Sequence, residues 1–335
     1  MKKRRLGTEG PELSVLGIGS WKAGGSWIYG IGKSDDGEAV QTLQRAFEGG
    51  VNWVDTAPIY GYGRAEEVVG RAVRGYDGVL VNTKCGHHLA PDGKSTCVDC
   101  SPPVIRQECE DSLKRLGRDH LDLYLFHLPD TRHPIEECWA EMLRLQREGK
   151  VRYVGACNFS TELLDRCQSV GPVQVVEYVY SLIHPEAEAD LLPWCARNGA
   201  GFLGYEVQAT GLLAGRYTRE SLAALPPEDY RHRHADFQEP GFSRALQLVD
   251  QLRPWAADAG LSLSELVIAA ALVEPRISGL MIGASNPQQV EGWLRAGDID
   301  LPPELWQRIR RAAEAFGGAG DYSSVLKSIS ANPSG

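Results

Sequence analysis

The stretch VNWVDTAPIYGYG, residues 51–63, places a carboxylate and a phenol directly behind an apolar run. Trp53 and Val54 suit a buried strand, whereas Asp55 is costly to bury unless a cation or several hydrogen bonds stabilise it. Tyr60 follows in the glycine-containing segment after the run. The sequence therefore indicates that a charge is needed where this strand ends.

Further polar residues stand at the ends of later apolar runs. Lys84 follows one run, His127 ends another, and Asn158 and Tyr205 close two more. Singly, such residues have ordinary roles, because a strand-end Asn caps turns, a Lys reaches solvent and a His packs in the core. Together with Asp55, however, they suggest a catalytic site.

Asp55, Tyr60, Lys84 and His127 together suit general acid catalysis. A tyrosine with a pKa near ~10 donates a proton poorly at neutral pH, but an adjacent ammonium favours the phenolate and lowers that pKa. Asp55 would hold Lys84 charged and in place. His127 would orient a substrate carbonyl and share the proton with Tyr60.

Eight apolar runs alternate with stretches of helical period along almost the whole chain. Strands are predicted at 13–19, 51–56, 78–84, 121–127, 151–157, 173–179, 201–206 and 278–283, and helices near 36–48, 65–74, 103–116, 135–149, 161–168, 186–198, 262–274 and 287–296. Consecutive βα units of this number favour a closed parallel barrel over an open sheet. We predict a (β/α)8 TIM barrel, which carries its chemistry at the C-terminal ends of the strands.

The remaining segments complete one domain in this interpretation. Residues 1–316 are predicted to form a single TIM-barrel domain with an N-terminal β-hairpin, which covers the end opposite the site, and an extra C-terminal helix. Residues 207–242 are long enough to be a functional loop or lid. Residues 317–335 are predicted to be a flexible C-terminal tail.

Composition excludes several classes of protein. A hydrophobic content of 43% supports a substantial core, and a net charge of −9 argues against a nucleic acid partner. No stretch approaches the ~18 apolar residues that span a membrane, and no signal-peptide apolar run follows the basic start MKKRR. The 8 scattered cysteines suit a reducing compartment. We expect a cytoplasmic protein with a small-molecule substrate and no membrane partner, of unspecified oligomeric state.

Five ordered blocks, from about residue 4 to 316, resemble the aldo-keto reductases, bacterial NADP(H)-dependent members included. DTAPIYGYGRAEEVVG is similar to the family's DTA-x-x-YG-x-G-x-SE-x-x-G block, VNTKCG to its TK strand, LDLYLFHLPD to its DLY-x-x-H-x-PD strand, VRYVGACNFS to its G-x-SNF segment and GYEVQATGLLAGRY to its YSPL-x-x-G-x-L-x-G-x-Y segment. The resemblance implies hydride transfer between a nicotinamide and an aldehyde, ketone or sugar-like substrate or its alcohol. Tyr60 would be the general acid/base, Asp55 and Lys84 its tuning pair, and His127 the substrate orienter.

The resemblance also implies an extended nicotinamide cofactor across the barrel mouth, without a Rossmann domain. GIGSWKAGG indeed lacks the G-x-G-x-x-G spacing. Asn158 and Glu177 would contact the carboxamide, Tyr205 would stack on the nicotinamide, and the backbone at Gly211 and Leu212 would approach the pyrophosphate.

The adenine end would lie at GASNPQQVEGW, with Ser285 and Gln289 near the ribose or its phosphate and Arg231 as a lesser phosphate candidate. NADP(H) is favoured, and NAD(H) remains possible. The expected cofactor contacts also include residues in the strand-end loops: Gly19, Ser20, Trp21, Asp55, Gly215 and Gly283. Four departures from the family pattern lie on the cofactor side: Cys157, Glu177, the Glu206-Val207-Gln208 triplet and the Gly292-Trp293 pair.

Two segments admit other interpretations. CGHHLAPDGKSTCVDC, residues 85–100, has zinc-ligand residue types, but it lacks a second close cysteine pair, so we expect no metal. Trp21, Trp27 and Tyr29 would stack on a sugar or apolar substrate or pack beneath their loop.

Two rival functions remain open at this point. The first is a Schiff-base lyase that uses Lys84 as nucleophile, although Asp55 would stabilise the protonated amine and so speaks against it. The second is a non-catalytic nicotinamide-binding subunit that senses redox state. Nicotinamide binding distinguishes the oxidoreductase and the redox sensor from the lyase. Turnover distinguishes the oxidoreductase from the sensor.

Overall fold

A computed structural model describes residues 1–30, 32, 34–227 and 229–316. Its strands, in chain order, are Lys3–Arg5 (β1), Glu12–Ser14 (β2), Leu16–Gly19 (β3), Trp53–Asp55 (β4), Leu80–Cys85 (β5), His87–Leu89 (β6), Thr96–Val98 (β7), Leu121–Phe126 (β8), Val151–Cys157 (β9), Val175–Val179 (β10), Gly201–Tyr205 (β11) and Ile277–Gly283 (β12). The α-helices are Asp36–Glu48 (α1), Arg64–Ala72 (α2), Pro102–Leu116 (α3), Ile135–Arg147 (α4), Thr161–Val170 (α5), Leu191–Asn198 (α6), Arg219–Ala223 (α7), Gly241–Asp258 (α8), Leu263–Ala271 (α9), Pro287–Leu294 (α10) and Pro303–Phe316 (α11).

Within the described residues, strands β3, β4, β5, β8, β9, β10, β11 and β12 close into a barrel in that order. Every neighbouring pair is parallel, and β12 returns to β3 with Leu280 opposite Leu16. Helices lie between the strands along the chain. The predicted (β/α)8 TIM barrel is therefore confirmed, and each predicted strand overlaps an observed one.

Local sequence signals explain where several helices begin and end. The Asp35 carboxylate accepts a hydrogen bond from the Glu38 backbone at 2.9 Å and caps α1. Ser262 and Glu265 form a reciprocal capping box at the start of α9. Gly117, in the left-handed conformation, ends α3.

Trp53 fills the end of the barrel opposite the strand C-termini. A Cβ at Gly17 would lie 2.2 Å from the Trp53 ring and one at Gly279 would lie 2.8 Å from it, so glycine is required at both positions. The indole Nε1 donates to the Ser14 carbonyl at 2.9 Å. The β1–β2 hairpin packs here through buried Leu13, as expected from the sequence.

Segment 207–242 is more ordered than a plain loop. It contains α7 and three 3-10 helices, at Ala209–Gly211, Tyr230–Arg233 and Ala235–Phe237. Helix α8, which begins at the end of this segment and contains Pro254, is absent from the predicted set. The helix forms because one face buries apolar residues in a second core that α11, the predicted extra C-terminal helix, also joins.

Residues 317–335, predicted to be a flexible tail, lie outside the described part of the chain. Among the helices that the structure does describe, none has the length and hydropathy of a membrane span.

Candidate active site

Adjacent strands bring Asp55 and Lys84 into contact inside the barrel. Asp55 ends β4, and Lys84 lies near the end of β5, which pairs with it. The Lys84 Nζ is 2.5 Å from the Asp55 Oδ2, and both side chains are about 1% exposed. The predicted pair therefore forms as a buried ion pair.

A second carboxylate, from Glu177 on β10, shares the same ammonium. The Lys84 Nζ is 3.2 Å from the Glu177 Oε1. The Asn82 amide donates to both carboxylates, at 2.7 Å to Asp55 and 2.8 Å to Glu177. Sequence reasoning missed Asn82, although its position two residues before Lys84 places both side chains on one face of β5.

Two carboxylates around one ammonium set the charge balance of this cluster. Burial alone lowers the pKa of Lys84, but the attraction of Asp55 and Glu177 outweighs it and holds that pKa well above its usual value. Burial and the repulsion of Glu177 raise the pKa of Asp55 well above its usual value, although Lys84 opposes the shift. Lys84 is consequently a charged group and not a free amine.

Tyr60 lies above this cluster because its loop packs closely on the loop after β3. A Cβ at Gly61 would lie 2.2 Å from the Gly24 carbonyl oxygen, so the two backbones meet only as glycines. The Lys84 Nζ is 5.7 Å from the centroid of the Tyr60 ring.

The pKa of the Tyr60 phenol is raised, whereas the sequence predicts that Lys84 lowers it. Burial raises its pKa, with Asp55 and Glu177 adding to the rise, and the opposing attraction of Lys84 does not offset it. The sequence indicates that Lys84 lies near Tyr60, but the depth of burial depends on the packing of several loops. Tyr60 is therefore a neutral hydroxyl at neutral pH and carries the proton that a donor needs. Burial makes the phenol a weaker acid, and the charge of Lys84 opposes that effect.

His127 faces Tyr60 across the same cavity. The two rings meet edge to face, with centroids 5.7 Å apart. Burial, reinforced by His87 and Lys84, holds the pKa of His127 well below its usual value. A neutral imidazole orients a carbonyl through a hydrogen bond and supplies no net charge.

Asn158 has a fixed side chain beside this group. Its backbone is left-handed, with φ 65°, a conformation that Asn tolerates better than most residues. The amide donates to the His127 carbonyl at 3.0 Å and contacts the Cys157 sulfur at 3.1 Å, while its oxygen accepts from the Tyr205 hydroxyl at 2.6 Å. These bonds hold the Asn158 side chain in place at the barrel mouth.

A cavity of about 270 Å³ extends from Tyr60 and His127 along the barrel mouth. Most predicted site residues line it: Gly19, Trp21, Trp27, Tyr60, His127, Asn158, Glu177, Tyr205, Gly211, Gly283, Ser285 and Gln289. Tyr29, another residue that the sequence placed near the substrate, also lines it, and lining residues outside the predicted site include Lys22, His87, Gln208, Arg216, Tyr230 and Met281.

Six predicted residues do not line the cavity. Asp55 and Lys84 lie behind it, Ser20 and Leu212 are buried, and Gly215 is outside the lining set. Arg231, predicted as a phosphate ligand, bonds to Asp229 at 2.6 Å and to the Tyr217 hydroxyl. A sequence pattern cannot distinguish these structural contacts from ligand contacts.

The carboxylate of Glu206, which replaces a family serine, lines the cavity and accepts hydrogen bonds from Thr210. Its Oε2 is 2.7 Å from the Thr210 backbone nitrogen and 2.9 Å from its hydroxyl. These bonds stabilise the carboxylate, and the His234 Nε2 lies 4.0 Å from the Glu206 Oε1.

The cysteine-containing segment after β5 forms the β6–β7 hairpin. Cys97 is half-buried on β7, whereas Cys100 is fully buried with its sulfur 3.9 Å from the Leu128 carbonyl. His88 contacts Glu108 at 3.0 Å. That this segment binds no metal stays a prediction.

Comparisons with known proteins show which protein family the chain resembles. The model of the aldo/keto reductase family matches residues 15–314. Aldo-keto reductase YhdN of Bacillus subtilis is 35% identical, over 87% of each chain, and an NADH-specific methylglyoxal reductase of Escherichia coli is 31% identical, over 94% of this chain and 99% of its own. The structure of a glycerol dehydrogenase from Gluconobacter oxydans aligns with a TM-score of 0.82 and 30% identity, covering 99% of this chain and 97% of that one.

The chain belongs to the aldo/keto reductase family. It is a nicotinamide-dependent oxidoreductase that transfers hydride between the cofactor and a carbonyl or alcohol. The Schiff-base alternative is not favoured, because two carboxylates hold Lys84 protonated. The non-catalytic alternative is not favoured either, since the named relatives are reductases or dehydrogenases.

Proposed function

We propose that Tyr60 is the proton donor for carbonyl reduction and the base for the reverse reaction. The observation that carries this proposal is the stack of Tyr60 over the buried Lys84, beside the edge of the neutral His127 ring. His127 hydrogen-bonds the carbonyl oxygen and sets its position. Asp55 holds Lys84, whose charge opposes the effect of burial on the phenol.

A reduced nicotinamide, when bound at the barrel mouth, would supply hydride to the carbonyl carbon. Tyr60 delivers the proton to the oxygen, so that a C–H and an O–H bond replace the carbonyl π bond. Lys84 remains charged next to the phenolate that forms, and this positive charge stabilises the phenolate.

Residues along the cavity suit a nicotinamide cofactor. Asn158 and Tyr205 offer an amide and a ring beside the reacting end. At the other end, Gly283 has open space where a Cβ would stand, and the first turn of α10 lies next to Ser285. Helix N-termini and glycine backbones favour phosphate groups.

NADP(H) is the cofactor that we propose as preferred over NAD(H). Arg216 supports this proposal, because its guanidinium donates to the Gln289 oxygen at 3.2 Å and places a cation at the cavity end where the ribose phosphate is expected. Arginine forms strong bonds to phosphate. We therefore propose Arg216 as the ligand of the ribose phosphate, in place of Arg231.

A cytoplasmic location is part of the proposal. Free thiols at all 8 cysteines support it, because unpaired cysteines persist in reducing compartments.

Cofactor binding should raise the stability of the folded protein. NADPH that binds only the native state adds about 2.7 kcal/mol to the free energy of unfolding at 100 times its dissociation constant. Thermal melts with NADPH, NADH, NADP⁺ and NAD⁺ measure this effect and rank the cofactors. Unchanged melting with all of them would contradict the proposal.

Replacing Glu177 by Gln should leave cofactor affinity similar or higher. A carboxylate only accepts hydrogen bonds, whereas Gln also donates one to a carboxamide oxygen. Asp55 still neutralises Lys84 in the variant. Titration of NADPH fluorescence measures the affinity, and a large loss would mean that the negative charge of Glu177 is itself required for binding.

A further inference from the structure

His87 is a buried histidine without a hydrogen-bond partner for either ring nitrogen among the described residues. Its side chain is 4% exposed, and its ring lines the cavity at the start of β6. Buried polar atoms are paired in nearly all proteins, because an unmade hydrogen bond to a desolvated group is costly. A bound molecule with hydroxyl groups would satisfy these two nitrogens.

His87 lies beside His127, the residue proposed to bind the reacting carbonyl. Its ring centroid is 5.0 Å from that of His127, with the rings edge to face. Tyr29 and Trp27 enclose the same part of the cavity, and the Trp27 Nε1 is also buried without a partner. The imidazoles of His87 and His127 are thus neighbours, which matches oxygen atoms on adjacent carbons of one ligand.

The charge state of His87 selects the kind of group it recognises. Burial, with a contribution from His88, lowers the pKa of His87 to about 3, so the ring is neutral at neutral pH. A neutral imidazole offers one N–H donor and one acceptor nitrogen. A hydroxyl both accepts and donates, whereas a carboxylate or phosphate only accepts and would leave the acceptor nitrogen unpaired.

Among the described residues, the ammonium beside the reacting group is not available to an anionic substrate. Lys84, the nearest ammonium, already contacts Asp55 and Glu177. Lys22 and Arg216 also line the cavity, and Arg216 lies at the cofactor end, where it bonds Gln289. The substrate end therefore favours an uncharged, hydroxylated molecule.

We propose that His87 is a specificity residue that binds the hydroxyl next to the reacting carbonyl, so that the substrates are small uncharged 2-hydroxy aldehydes or ketones and the corresponding 1,2-diols. This inference rests on the proposed function of Tyr60 and His127. In reduction, hydride from the nicotinamide forms the new C–H bond and the Tyr60 proton completes the new hydroxyl. The neighbouring hydroxyl on His87 is unchanged throughout.

Two aldehydes of equal carbon number test the proposal: lactaldehyde, which carries a 2-hydroxyl, and propanal, which does not. The wild-type protein should show a higher kcat/KM for lactaldehyde with NADPH. His87→Phe keeps the ring shape and removes both nitrogens. It should lower the lactaldehyde to propanal ratio by roughly 10- to 100-fold, as a lost hydrogen bond to a buried hydroxyl implies.

Two further variants serve as controls. His88→Phe is the same change at the adjacent residue, whose ring is half-buried, bonds Glu108 and is not a cavity residue. It should leave the substrate ratio unchanged. His87→Gln restores a donor and an acceptor and should recover part of the ratio.

The outcomes separate this inference from the proposed function. An equal loss on both aldehydes in His87→Phe, or a wild-type protein that does not distinguish them, would overturn the role of His87 and leave the role of Tyr60 standing. No NADPH or NADH oxidation with either aldehyde would contradict the proposed function itself.

Discussion

Replacing Tyr60 by Phe should lower the turnover number by about 10² to 10⁴, the usual contribution of a positioned general acid. The variant removes one hydroxyl from a ring that keeps its contacts with Trp27 and His127. Cofactor affinity should change little, because that hydroxyl serves the substrate. Steady-state kinetics with the best aldehyde and a separate NADPH titration measure the two effects.

Tyr62→Phe is the matched control for this change. Tyr62 is in the same loop, 48% exposed and not a cavity residue, so its variant should retain normal turnover. The pH dependence adds a second check. Because burial raises the pKa of Tyr60, the reduction rate should be flat through neutral pH, and alcohol oxidation, which needs the phenolate, should increase as pH rises. Near-normal turnover of Tyr60→Phe would remove it from the mechanism.

Replacing Lys84 by Met should depress both turnover and stability. Without the ammonium, the pKa of Tyr60 rises further, and Asp55 and Glu177 face each other across the Asn82 amide without a cation. Breaking a buried ion pair in this way costs about 3–5 kcal/mol. Chemical denaturation and steady-state kinetics measure the two losses.

Additional substitutions separate the electrostatic effect from a failure to fold. Adding Glu177→Gln to Lys84→Met removes one of the two unpaired carboxylates, so stability should recover in part while turnover stays low. The Tyr60→Phe, Lys84→Met double variant should be only slightly slower than Tyr60→Phe, because the two residues act as a unit. If Lys84→Met abolished turnover while Tyr60→Phe preserved it, a Schiff-base mechanism would become the better account.

Much of the barrel could be predicted because its signals are local. Each βα unit has its own apolar run, turn residues and helical period, and α1 was placed at its observed bounds of Asp36–Glu48. Helix α8 could not be placed in the same way. Its stability comes from packing on the next helix, α9, and on α11, a segment far along the chain, and this packing outweighs the effect of Pro254.

The candidate site was partly predictable for a similar reason. Strand-end residues such as Asp55, Lys84 and His127 are brought together by any parallel barrel, so their position in the sequence is enough to group them. The contact between Lys84 and Glu177 crosses the barrel interior, from β5 to β10, and depends on its closure. The unpaired state of His87 depends on burial by several loops, which no single motif encodes.

The origin of the hydrogen atoms in the product tests the central claim most directly. The purified protein is incubated with an aldehyde and NADPH that carries deuterium at both C4 positions, and the alcohol is analysed by mass spectrometry and NMR. We predict one deuterium on the carbinol carbon and a hydroxyl proton from solvent, with formation of this product slowed in Tyr60→Phe by the factor given above. An alcohol without deuterium, or one formed without oxidation of the cofactor, would contradict the account.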